Sequence, residues 1–126
     1  MDKQDLMGKE LSNLYAIAKQ VNHYFNGSDI SFLNEKRKIM ITNYLQFSCK
    51  NEELIAELLR SINVNPGNTK DSIIDEITEN LHDIISKKNC SDQVKSLSYM
   101  MSLNRLISYH IANVENVRYV MNDLKF

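Results

Sequence analysis

Leu103-Asn104-Arg105-Leu106-Ile107-Ser108-Tyr109-His110-Ile111-Ala112-Asn113-Val114-Glu115-Asn116-Val117-Arg118-Tyr119-Val120-Met121 decides the fold. At about 100° per residue, Leu103, Leu106, Ile107, His110, Val114, Val117 and Met121 share one face. That spacing belongs to a long helix with an apolar stripe, and it sets a histidine within the stripe. No stretch of strict alternation competes elsewhere in the chain.

Three breaks divide the rest. Asn26-Gly27-Ser28 and Asn65-Pro66-Gly67-Asn68 interrupt a helix because Gly accepts positive φ and Pro cannot continue one. Lys87-Lys88-Asn89-Cys90-Ser91-Asp92 joins two lysines suited to a helix C-terminus with residues that cap a following N-terminus. The spacing predicts helices over about 3–25, 31–63, 70–88 and 92–125. The first carries Met7, Leu11, Leu14, Tyr15, Ala18, Val21 and Phe25. The second carries Leu33, Met40, Tyr44, Phe47, Leu54, Ile55, Leu58 and Ile62. The third carries Ile74, Ile77, Leu81, Ile84 and Ile85. Short connections make successive helices antiparallel, so the expected class is all-α: one domain spanning 1–126, an up-down-up-down four-helix bundle.

Bulk composition excludes several functions. With 126 residues and 43% apolar content, the chain can bury a core without staples. A net charge of −1 argues against strongly electrostatic binding to nucleic acid or membranes. The densest basic cluster, Lys36-Arg37-Lys38, reads as a solvated face. No run approaches the ~20 apolar residues of a membrane span. The N-terminus lacks an apolar signal region, so a cytoplasmic location is expected. Cys49 and Cys90 read as free thiols, without the spacing of a zinc site.

The candidate chemistry centres on His110. Its expected environment is a mid-bundle polar patch with Asn51 and with Asn22 or Tyr15, because a buried imidazole needs hydrogen-bond partners. Amides, a phenol and one imidazole form a poor ligand set for iron, manganese or zinc. Glu79-Asn80-Leu81-His82 has the Glu-x-x-His spacing of bundle metal sites, but Glu79 points nearly opposite the third helix's stripe and His82 sits on its flank, so both are expected to be exposed. His23 lies about 140° from Ala18, on the surface side. No phosphate loop, nucleophile elbow or Cys-base pair is present, so no catalytic residue and no cofactor are expected.

Two short motifs carry a family likeness. Leu11-Ser12-Asn13-Leu14-Tyr15-Ala16-Ile17-Ala18-Lys19-Gln20 resembles the first-helix pattern L-x-D-x-Y-x-A-E-K-Q of the YciE/YciF-like ferritin-like proteins. Ile107-Ser108-Tyr109-His110-Ile111-Ala112 resembles that family's E-H-Y-E-I-A. The resemblance implies a ferritin-like bundle with a dinuclear metal site. Its ligand positions fall here on Ala18, Asn51, Ile107 and His110, none of them a carboxylate. A dimetal centre needs several carboxylates, so the expectation is a vestigial, metal-free site.

Function is then expected to be non-catalytic: an oligomeric structural or protein-interaction module with an unknown protein partner. Val94, Leu97 and Met101 form a second stripe on the fourth helix, extended by Tyr119, which suits a homodimer interface. The alternative is a divergent metal-binding or oxidative-stress-response protein using His110, with Glu52, Glu53, Asp75 or Glu115 turned inward. A third reading, a small-ligand carrier, calls for an apolar pocket opening at Asn51 and His110.

Overall fold

The computed structural model describes residues 1–124, and these form an all-α four-helix bundle: α1 (Lys3–Phe25), α2 (Glu35–Ser61), α3 (Ser72–Ser86) and α4 (Asp92–Leu124). The expected end of the last helix at 125 lies outside the described residues.

Side-chain caps set most of the boundaries. Asp2 and Asp5 form a reciprocal capping box at the start of α1. The second helix begins at Glu35 rather than 31, because the Asn34 side chain accepts the Arg37 amide at 2.9 Å. Ile30–Leu33 forms a turn that tucks Leu33 into the core. At its other end α2 stops at Ser61 rather than 63. Asn63 adopts φ 55°, and the Val64 amide donates back to the Leu59 carbonyl. The third helix runs 72–86 rather than 70–88, with Asp71 as its cap.

Contacts along the helices establish the alternation. Asn22 of α1 meets Ser48 and Glu52 of α2, whereas Met7 and Leu11 pack with Ile55 and Leu59. Numbers rise along one helix as they fall along the other, so the pair is antiparallel. Arg37 meets Ser96, and Asn51 meets His110. Here numbers rise together, which makes α2 and α4 parallel. The first helix is central and touches α2, α3 and α4, while α3 packs on α1 and α4.

Helix length shapes the core. The 33 residues of α4 span about 50 Å, whereas the 15 of α3 span about 22 Å. All four helices therefore meet in only one half of the bundle, around Ile17, Val21, Tyr44, Ile74, Leu81 and Leu103. In the other half α1, α2 and α4 close around Leu11, Leu14, Ile55, Leu59 and Val117.

The inward face of α2 differs from the expected stripe. Ile41, Tyr44, Ser48, Asn51, Ile55 and Leu59 are buried, while Met40, Phe47 and Leu54 are 43%, 38% and 54% exposed. Positions 40, 44, 47, 51, 54 and 58, apolar apart from Asn51, repeat at alternate spacings of four and three. Such a seam straddles two faces when α1 covers one side fully and α4 covers the other only around His110. Half of it therefore turns to the core and half to an open trough between α2 and α4.

Candidate functional site: a closed histidine between two helices

His110 has no exposed surface. It projects from the middle of α4 toward α2, where Tyr44 and Asn51 stand two turns apart on one face. The imidazole therefore sits between them. Tyr44 Oη lies 2.7 Å from His110 Nδ1, and His110 Nε2 lies 3.0 Å from Asn51 Oδ1. A carbonyl oxygen only accepts, so Nε2 carries the proton and donates to Asn51. Nδ1 then accepts from the Tyr44 hydroxyl. The ring is also enclosed by aromatic neighbours, Tyr44 at 5.7 Å and near-perpendicular, and Phe47 at 5.3 Å.

The electrostatics keep this cluster neutral. Burial lowers the His110 pKa to about 4, because a charged imidazolium loses its hydration there. Burial also pushes the Tyr44 phenol well above its usual range. Proton transfer between the two is thus opposed from both sides. Both ring nitrogens are satisfied by neutral partners, so metal coordination would have to displace Tyr44 or Asn51.

The four positions aligned with ligands are only partly gathered. Asn51 and His110 touch. Ala18 is fully buried on α1, and Ile107 is half-buried against the larger apolar cluster. Neither offers a donor atom. Asn22 and Tyr15 stand apart from the histidine: Asn22 Nδ2 donates to Glu52 Oε1 at 2.8 Å, and Tyr15 packs on the smaller apolar cluster. The position on the α2 stripe already occupied by Tyr44 supplied the partner instead.

Glu79, His82 and His23 are exposed, as is Cys49. Among the described residues, no three His, Cys, Asp or Glu side chains converge as a metal-holding group. Val94, Leu97, Met101 and Tyr119 are all exposed. Tyr119 stands about 27 Å along the helix from Met101, with Ser108 and Ala112 on the face between them.

A second polar centre escaped the sequence reading. Asp71 is only 4% exposed. Its Oδ1 accepts the Ile74 amide at 2.9 Å as the α3 cap, and its Oδ2 accepts the Tyr109 hydroxyl at 2.6 Å. The side-chain amide of Gln20 clamps the Asp71 backbone, accepting its N–H at 2.8 Å and donating to its carbonyl at 3.0 Å. Burial first, then the Asp71 carboxylate, raises the Tyr109 pKa to about 12. Asp71 thus ties three helices together, α3 and α4 through its carboxylate and α1 through its backbone. The Asp-Ser pair opening a helix was its only sequence signal, and that pattern marks a cap without marking burial.

Comparison with protein-family models, curated proteins and solved structures returns no match.

Proposed function

We propose that the chain is a non-catalytic, ferritin-type bundle with a vestigial metal site, acting as an oligomeric protein-interaction module in the cytoplasm. The observation that carries this reading is the closure of His110 by Tyr44 and Asn51, both neutral. A di-iron or di-manganese bundle instead projects glutamates and histidines inward from facing helices. The motif resemblance in α1 and α4 supplies the ferritin-type part of the proposal.

A metal-binding or oxidative-stress role would need carboxylates turned toward His110, but Glu53 is exposed and the other three candidates are engaged elsewhere. Glu52 accepts from Asn22, Asp75 from Gln20, and Glu115 from Arg118. An interaction role fits the outer face of α4, where Val94, Leu97 and Met101 stay exposed at successive turns. We assign a homodimer to that stripe.

Size-exclusion chromatography with light scattering tests the assignment. Wild type is expected to run as a dimer of the 14.6 kDa chain and Met101→Glu as a monomer. A monomeric wild type removes the dimer.

A further inference from the structure

Between α2 and α4 lies a trough lined mainly by apolar side chains and covered by no helix among the described residues. Its volume is about 410 Å³, within the ~300–1,000 Å³ range of small-molecule sites. Leu14 of α1 and Val117 form the floor, both nearly inaccessible to solvent. Leu54 and Leu58 make one wall, and Val114 and Met121 the other. Asn51 closes the end nearest the histidine. Among the described residues, the charged side chains lining this space are Lys50 and Arg118, one from each helix. Both are cations. Lys50 is exposed, and Arg118 Nη1 is held 2.7 Å from Glu115 Oε1, leaving its remaining N–H groups available.

We propose that this trough binds a single-tailed amphiphile with an anionic head, namely a free fatty-acid carboxylate. The alkyl chain lies along the Leu14–Val117 floor, where it replaces water over apolar side chains. The carboxylate reaches Lys50 and Arg118 at the rim through charge-assisted contacts. A second copy fits this face less well. A two-fold contact uses the same patch on both partners, and so brings Lys50 and Arg118 of each copy to one rim, like against like. The site uses neither the outer stripe of α4 nor a metal, so it goes beyond the interaction-module reading and stands apart from it.

Isothermal titration with sodium dodecanoate, below its micellar concentration, tests the site on the whole chain. One dodecanoate per chain is expected. The double variant Lys50→Glu/Arg118→Glu should weaken binding at least about tenfold. Leu54→Glu, at an exposed wall position, should abolish binding while leaving the helical circular dichroism unchanged. Dodecyltrimethylammonium, with the same tail and the opposite charge, should not bind. The proposal is overturned if dodecanoate releases no heat, or if the cation binds as tightly as the anion. It is equally overturned if neither variant changes the affinity. Dimers that Leu54→Glu dissociates would also overturn it, by assigning the trough to a second copy.

Discussion

His110→Ala is expected to lower the unfolding free energy by about 4 kcal/mol. Removing a buried ring leaves a cavity, at about 3–5 kcal/mol for a large aromatic side chain. It also strands the Tyr44 hydroxyl and Asn51 Oδ1 away from water, where an unpaired buried polar group costs about 1–3 kcal/mol. Partial collapse of α2 toward α4 offsets some of this. The same residue sets a pH dependence. The unfolded chain protonates His110 near pH 6.5, while the folded chain keeps it neutral to about pH 4. Above pH 6.5 neither state binds the proton. As pH falls from there to 4, only the unfolded state gains it, so stability drops by up to about 3 kcal/mol. Urea denaturation at pH 7, 5.5 and 4 on wild type and His110→Gln separates this contribution from the carboxylates common to both. A His110→Ala loss below about 1 kcal/mol, or parallel pH profiles for wild type and His110→Gln, would contradict a buried neutral histidine.

Asp71→Ala is the second large effect, expected at about 3 kcal/mol. It removes the α3 cap, worth about 1 kcal/mol, and the charged acceptor of the Tyr109 hydroxyl, worth about 1.5–3 kcal/mol. Asp71→Asn keeps an oxygen for the Ile74 amide and should lose only about 1 kcal/mol, the difference between a charge-assisted and a neutral bond to Tyr109. Thermal unfolding followed by circular dichroism distinguishes the two. Equal losses in both variants would mean that the carboxylate's charge, rather than its shape, does the work. A loss below about 1 kcal/mol in Asp71→Ala would leave Asp71 as an ordinary surface cap.

The two centres were unequally legible. Helix number followed from Gly27, Pro66 and the Lys87–Asp92 stretch, because backbone restrictions act locally. The pairing of His110 with Asn51 followed from helical phase, since both fall on stripes that face one another. The phase of α2 did not. Met40, Phe47 and Leu54 are as apolar as Ile41 and Ile55, and they stay partly exposed because that side of α2 is incompletely covered. Ser48 and Leu59 mark the true inward face, but a buried serine carries no apolar signal. Asp71 was illegible for a similar reason: Gln20 and Tyr109, which bury it, lie 51 and 38 residues away in sequence.

His110 sits in a closed, neutral cluster, and the proposed vestigial site holds no metal. Elemental analysis of untagged protein, before and after incubation with iron(II), manganese(II) and zinc(II), tests it most directly. Metal well below one equivalent per chain, unchanged in His110→Gln, is the predicted result. About two metals per chain, as in a ferritin-type centre, disappearing in His110→Gln, would contradict it.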